Sequence, residues 1–166
     1  VLFRSAALLS WQVARADEDP NYVYSVSLQN GMTITRYAKP EYAERLRASR
    51  PEGVSLNWSF QDRDGAPEDA AKQEIDLVNE AIAFVLGSQE DAVLALASVR
   101  GNRQGVWAFY TPNGARLAEA LESALKGKTR SPVRVRVGKD PEWKALSNFM
   151  ARLEKAIPRC RQDCSS

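Results

Sequence analysis

The sequence predicts an α+β fold of the ferredoxin-like, split βαβ type, in which a four-stranded antiparallel sheet carries two helices on one face. An N-terminal β-hairpin and a C-terminal helix are expected additions. Several segments alternate apolar and polar residues, which is typical of strands with one buried face. Two longer segments repeat apolar residues every three or four positions, as amphipathic helices do. From Val54 onward the order is strand, helix, strand, strand, helix, strand, and right-handed crossovers bring that order together in one sheet.

The N-terminal part predicts a hairpin followed by a short helix. Residues 22–28 and 32–36 alternate, and Asn30-Gly31 lies between them. An Asn-Gly pair between two alternating segments is the strongest short-range signal for a hairpin. Pro40 then begins a helix that runs to about residue 49, because proline is favoured at the first helical position.

The remaining segments supply the core of the predicted sheet. Residues 54–61 alternate most clearly, with Trp58 and Phe60 on the apolar face. A long helix over about residues 67–86 follows, and Gly87 ends it. The other predicted elements are strands over 92–100 and 106–111, a helix after Pro112-Asn113-Gly114, a strand over 133–137, and a last helix opened by Asp140-Pro141-Glu142-Trp143.

The composition excludes several classes of protein and several kinds of site. Of 166 residues, 44% are hydrophobic and 27% are charged, as in a globular protein large enough to form a core. No segment approaches the ~20 consecutive apolar residues of a membrane-spanning helix. Histidine is absent, so the commonest general base and metal ligand is missing. We expect no cofactor and no bound metal.

Two interpretations compete for residues 1–16. A short apolar run ends in Ala14-Arg15-Ala16 and precedes three acidic residues, as at the end of a secretory signal peptide. The alternative is an amphipathic helix that packs on the domain. Residues 1–5 resemble a translated sequencing adapter, so we interpret them as an assembly artefact and residues 1–16 as a truncated signal peptide. The protein would then be periplasmic or secreted, without membrane insertion after cleavage, and a cytoplasmic location is the alternative.

Cys160 and Cys164 lie in a C-terminal tail, residues 158–166, beyond a single domain that we place at residues 17–157. In an exported protein these two thiols could form a local disulfide. The closed loop is short, so the gain in stability would be small. The alternative is a pair of free thiols. Two thiolates without histidine cannot complete a four-ligand zinc site.

Four short motifs follow one another along the core of the chain. They are Asn57-Trp58, Gly65-Ala66-Pro67 before a helix that carries Glu74, Gly105-Val106-Trp107-Ala108-Phe109-Tyr110, and Asp140-Pro141-Glu142-Trp143. In this order they resemble the bacterial domain-of-unknown-function family 695 (DUF695), over about residues 22–150. The resemblance implies a ferredoxin-like fold and, in some relatives, association with a domain like the regulator of ribonuclease E activity. It implies no catalytic residues.

The motif residues also have a structural explanation that needs no ligand. Trp58 is expected to face the helices in the core. Trp107 and Phe109 are expected to share one face of their strand, and Tyr110 to take the other. Asp140 before Pro141 predicts a helix N-cap followed by proline at the first helical position, with Trp143 in the first turn. The family often has an aromatic residue three positions after this tryptophan, where the chain has Leu146, which indicates different packing of the last helix.

Charge is segregated along the sequence, and one basic strand points to a binding surface. Residues 62–91 contain nine acidic and two basic residues, whereas residues 100–139 contain nine basic and two acidic ones. Strands 54–61 and 133–137 are expected neighbours, so their polar side chains would share the uncovered face of the sheet. The alternative is a solvated face on a dipolar protein. The predicted binding residues are Asn57, Ser59, Arg130, Arg134 and Arg136.

Nucleic acid is not an expected partner. RNA-recognition motifs stack bases on exposed sheet aromatics, and the outward face of residues 54–61 has none. Arg4 and Arg15 account for the whole net charge of +2, so the predicted domain has no positive excess with which to attract phosphates.

Three hypotheses about function remain, each from a different class. The first is a non-enzymatic interaction or regulatory module that binds an unknown protein or an anionic group on its open sheet face. The second is a small carboxylate-based hydrolase or ligand-binding enzyme, which needs a pocket with at least two carboxylates. The third is a structural accessory domain without a ligand. The sequence contains no nucleophile elbow, phosphate loop or dinucleotide fingerprint, which favours the first.

Overall fold

The computed structural model describes residues 19–27, 33–59, 68–100 and 104–156. None of the helices in these segments combines the length and the apolar character needed to cross a bilayer. Several predictions fall outside the described residues: the Asn30-Gly31 turn, Phe60, Gly65, Pro67, both cysteines and the segment 1–16. The elements are β1 (Tyr22–Ser27), β2 (Thr33–Ala38), α1 (Pro40–Arg47), β3 (Glu52–Ser59), α2 (Glu68–Ser88), β4 (Val93–Arg100), β5 (Gln104–Thr111), α3 (Gly114–Leu125), β6 (Arg134–Lys139) and α4 (Lys144–Ala156).

The six described strands form one antiparallel sheet in the order β1-β2-β4-β5-β3-β6. The prediction of a mixed α+β fold is confirmed. The predicted sheet had four strands, and the observed sheet has six because the N-terminal hairpin continues it through β2. Ile34 and Arg36 of β2 lie opposite Val99 and Ala97 of β4. A two-stranded hairpin alone is marginally stable in water, and this pairing gives it a sheet to join.

The larger hydrophobic core lies between one face of the sheet and helices α2 and α3. The apolar periodicity of both helices corresponds to their buried sides, as predicted. The strands contribute alternating residues from the same face, including Trp58 and Trp107, which are each about 1% exposed. The buried helix residues are Ala71, Ile75, Val78, Ala81, Ile82, Val85, Leu117, Ala118, Leu121 and Leu125.

The opposite face of the sheet, which we expected to be open, is partly covered by α1 and α4. These helices enclose a second core that contains Tyr110 and Trp143, and Phe149 of α4 packs against Tyr37 of β2 with ring centroids 5.2 Å apart. All four residues from Val93 to Leu96 are buried. Such a continuous buried run is typical of a strand that is covered on both faces.

The part of this face that α1 and α4 leave uncovered lies at the β3–β6 end of the sheet. We call it the open half-face and define it by Ser55, Asn57 and Ser59 of β3, Gln104 of β5, and Arg134 and Arg136 of β6. Ser59, Gln104 and both arginines are exposed, and Ser55 and Asn57 are half-buried. The predicted surface is therefore smaller than a whole sheet face.

Candidate functional site

The open half-face is built from cross-strand pairs between β3 and β6. Asn57 lies opposite Arg134, and Ser55 lies opposite Arg136, so the predicted adjacency of these two strands is confirmed. Residues two apart in a strand point to the same face. The intervening residues Val54 and Leu56 are buried in the larger core, and the polar residues therefore point away from it.

A groove of about 490 Å³ lies on this surface. Its polar lining residues are Asn57, Ser59, Gln104, Ser131, Arg134 and Arg136. The groove thus brings together four of the five residues that the sequence predicted for binding. Gln104 was not among them, because the prediction began its strand at Val106 and left Gln104 in the turn. In the structure Gln104 belongs to β5 and lies opposite Ser59.

Two guanidinium groups dominate the chemistry of the groove. Arg134 and Arg136 are both exposed, and their Cα atoms are roughly 7 Å apart along the strand. Among the described residues, no carboxylate forms an ion pair with either side chain. A guanidinium group presents a planar fork of N–H donors that matches a carboxylate or a phosphate. The groove is therefore suited to an anionic group.

Arg130, the fifth predicted residue, lies apart from the open half-face. Its Nε donates a hydrogen bond to Oε1 of Glu74 at 2.8 Å. Glu74 belongs to α2, and its side chain is 7% exposed, whereas that of Arg130 is 59% exposed. A buried carboxylate without a partner is strongly destabilising, so this pair gives Glu74 a structural role in the helix-covered layer.

The Asp140-Pro141-Glu142-Trp143 motif forms a turn before α4, and the prediction that it opens the helix was wrong. The helix begins at Lys144. Oδ2 of Asp140 accepts one hydrogen bond from the backbone N–H of Lys144 and another from the Tyr110 hydroxyl, both at 2.8 Å. Asp140 therefore does cap the helix, although it lies four residues before the first helical residue. The hydrogen bond from Tyr110 to the same oxygen connects the turn to β5.

Trp143 has a backbone conformation that few residues other than glycine adopt. Its φ is 53°, in the left-handed region that costs a non-glycine residue about 1–2 kcal/mol. Burial of the side chain and two specific contacts offset that cost. The indole ring is fully buried, it stacks on Tyr110 with ring centroids 4.3 Å apart, and its Nε1 donates to the carbonyl oxygen of Arg50 at 3.0 Å.

The Tyr110 hydroxyl should make the stability of the protein sensitive to alkaline pH. Burial, and then the hydrogen bond to Asp140, raise the pKa of Tyr110 above its usual value. The unfolded chain ionises near pH 10, so this stabilisation is complete below about pH 10 and is lost as the pH rises through the folded-state pKa. We expect Tyr110→Phe to lower the free energy of unfolding by about 1–2 kcal/mol at neutral pH. The free energy of unfolding of this variant should then decrease less steeply than that of the wild type as the pH rises above about 10.

Denaturant unfolding at about pH 8 and about pH 11 measures both effects. Burial also raises the pKa of Tyr22, so the Tyr110→Phe protein should retain part of the alkaline loss, and adding Tyr22→Phe should reduce it further. An alkaline loss of the same size in wild type and in Tyr110→Phe would contradict this assignment.

Acidic side chains are scarce in four grooves that the described residues line. The groove on the open half-face and three further grooves contain one carboxylate between them, that of Asp140. Oδ2 of Asp140 already accepts two hydrogen bonds. These four grooves do not supply the pair of carboxylates that the enzyme hypothesis requires. Within the described segments, no three cysteine, aspartate or glutamate residues are grouped so that they could hold a metal ion.

Comparison with known protein families places the chain in one of them. A family model described as a family of unknown function, DUF695, matches residues 20–151. The matched range contains all four motifs and every residue of the open half-face. No curated protein matches the chain.

Proposed function

Since this chain belongs to the DUF695 family of unknown function, we propose from its surface chemistry that it is a non-enzymatic interaction or regulatory module. The open half-face binds a partner protein through an anionic group. One observation carries this proposal: Arg134 and Arg136 stand beside Asn57 on the part of the sheet that α1 and α4 leave uncovered, and a groove lies there.

The energetics of the surface support an anionic ligand. At a separation like the roughly 7 Å between their Cα atoms, two like charges in water repel each other by less than about 1 kcal/mol, so the free protein tolerates the pair. A carboxylate or phosphate that contacts both guanidinium groups gains two charge-assisted interactions, and each such hydrogen bond contributes about 1.5–3 kcal/mol. The Asn57 and Gln104 amides lie on the same surface and offer further donors.

We also propose a finer assignment of the fold and of the domain. Residues 17–157 form one domain, and its part from β3 to β6 is a ferredoxin-like unit. The strand order β4-β5-β3-β6 supports this assignment, and so does the shared core of α2 and α3 on one face.

The module works outside the cytoplasm in this proposal. The apolar run before Ala14-Arg15-Ala16 supports export, and so does the pair of cysteines in the tail. Fractionation of cells that express the protein from its complete genomic reading frame tests the location. We expect cleavage after Ala16 and recovery from the periplasm or medium, and an uncleaved cytoplasmic product would contradict export.

Charge reversal of the two arginines tests the binding role. We expect the double variant Arg134→Glu, Arg136→Glu to lose the specific partner that the wild-type chain captures from envelope or cytosolic extracts at low salt. The capture should also fail at high salt, because exposed ionic contacts are screened. Quantitative mass spectrometry of the captured proteins gives the readout.

A matched control separates this surface from a general effect of charge. The double variant Arg116→Glu, Lys126→Glu changes the net charge by the same amount on two exposed residues at the ends of α3, on the other side of the sheet. It should capture the partner as the wild type does. Undiminished capture by the Arg134→Glu, Arg136→Glu variant would refute the assigned surface.

A further inference from the structure

We propose that the open half-face recognises its partner by strand addition, in which an extended segment with alternating acidic and apolar residues pairs antiparallel with the outer edge of β6. This inference rests on the proposed function and specifies the chemistry of the partner. Strand addition combines main-chain hydrogen bonds, which give affinity, with alternating side-chain contacts, which give specificity.

The outer edge of β6 has main-chain groups available for such pairing. β6 is the last strand of the sheet, and among the described residues only β3 pairs with it. The backbone N–H of Asp140 donates to the carbonyl oxygen of Pro51. Since hydrogen-bonded pairs alternate in an antiparallel ladder, Gly138, Arg136 and Arg134 also bond inward to β3.

The intervening residues Val135, Val137 and Lys139 therefore point their N–H and C=O groups away from the sheet. No other described residue forms a backbone hydrogen bond with these groups. An added antiparallel strand could make up to about six hydrogen bonds with them.

The side chains on the two faces of β6 determine what the added strand should look like. Arg134 and Arg136 lie on the open half-face, so the residues of the added strand on that face should be acidic. Val135 and Val137 lie on the helix side, and Val137 is 47% exposed although it is apolar. Side chains directly opposite each other share a face, so apolar residues opposite Val135 and Val137 would cover this exposed surface.

A second copy of the chain does not fit this edge. Pairing β6 antiparallel with another β6 would bring the arginines of one copy close to those of the other on the open half-face, and like charges on neighbouring strands are destabilising. The opposite edge strand β1, YVYSVS, has no acidic side chain to offer. The charge of the edge therefore favours a different, acidic partner.

Binding of short peptides to the full chain tests strand addition. The probe is a fluorescent peptide of about eight residues with alternating glutamate and valine. We expect it to bind and to slow hydrogen exchange at the outward amides of Val135, Val137 and Lys139. Binding should weaken at least about tenfold for a peptide of the same sequence whose glutamate carboxylates are converted to uncharged esters. It should weaken by a similar factor for the Arg134→Glu, Arg136→Glu protein.

Backbone methylation of the peptide distinguishes strand addition from simple charge attraction without altering the protein. In the antiparallel pairing the valines lie opposite Val135 and Val137, so their N–H groups face β6. N-methylation of the valines should abolish binding, and N-methylation of the glutamates should leave it within a few fold.

The outcomes separate this inference from the proposed function. Binding that needs Arg134 and Arg136 but tolerates N-methylated valines overturns strand addition and leaves the proposed function standing. If no peptide binds but the arginine-dependent capture of a partner persists, strand addition is overturned and the proposed function stands. The charges at the edge of β6 would then serve to block strand pairing. Loss of both peptide binding and arginine-dependent capture overturns both proposals.

Discussion

Trp143→Ala is expected to lower the free energy of unfolding by about 3–5 kcal/mol, the usual cost of removing a large buried aromatic side chain. The substitution removes the stack on Tyr110 and the hydrogen bond from Nε1 to the Arg50 carbonyl oxygen. It also keeps a side chain at a residue whose φ is 53°, so the backbone strain remains while the contacts that offset it are lost. Urea unfolding monitored by circular dichroism measures the change.

Phe84→Ala is the matched control, because Phe84 is a large aromatic residue that is 75% exposed on α2. It should change the stability by less than about 0.5 kcal/mol. Trp143→Phe should fall between the two, since it keeps a ring but leaves the Arg50 carbonyl oxygen without its donor. A Trp143→Ala protein as stable as Phe84→Ala would show that the second core is not closed as described.

Gly105→Ala is expected to destabilise the protein by about 3 kcal/mol, the upper end of the usual cost of overpacking. A Cβ at this position would overlap the six-membered ring of Trp107, whose Cζ3 atom would be 2.5 Å away. The indole cannot move aside easily, because it is 1% exposed within the larger core. The Gly105-Val106-Trp107 motif thus has a steric reason: the glycine makes room for the tryptophan two residues later.

Gly138→Ala provides the control for this prediction in another strand of the same sheet. A Cβ on Gly138 would meet no atom within 4 Å, so the change in stability should stay within about 0.5 kcal/mol. Denaturant unfolding of both variants under one set of conditions gives the comparison. Equal stability of the two variants would mean that Trp107 does not pack over Gly105.

The core of the fold could be predicted because its signals are local. The alternation in β3 and the three- and four-residue spacing in α2 and α3 depend only on which side is buried, and all three elements lie where they were expected. The pairing of the N-terminal hairpin with β4 could not be predicted from local patterns. Pairing between segments that are distant in the chain depends on which strand edge the rest of the fold leaves open. The run from Val93 to Leu96 did contain a signal, since four consecutive apolar residues indicate a strand buried on both faces.

The candidate site shows the same division between local and distant information. Asn57 and Arg134 could be placed together from the topology alone, whereas Arg130 could not be placed. Arg130 comes before the strand begins, so no register fixes it, and it pairs with the buried Glu74 across the layer. The turn at Asp140 was mistaken for a helix start because Asp-Pro has the residue types of a cap, while the left-handed backbone of Trp143 depends on tertiary contacts with Tyr110 and Arg50.

If the open half-face is the binding surface of this protein, side-chain nuclear magnetic resonance of the full chain should detect a partner at its two arginines. The measurement follows the Nε–Hε signals of Arg134, Arg136 and Arg116 while a captured partner is added. We expect the signals of Arg134 and Arg136 to shift and broaden, and that of Arg116 on α3 to stay in place. Shifts confined to Arg116 and the helix side, with Arg134 and Arg136 unchanged at saturation, would contradict binding at the open half-face.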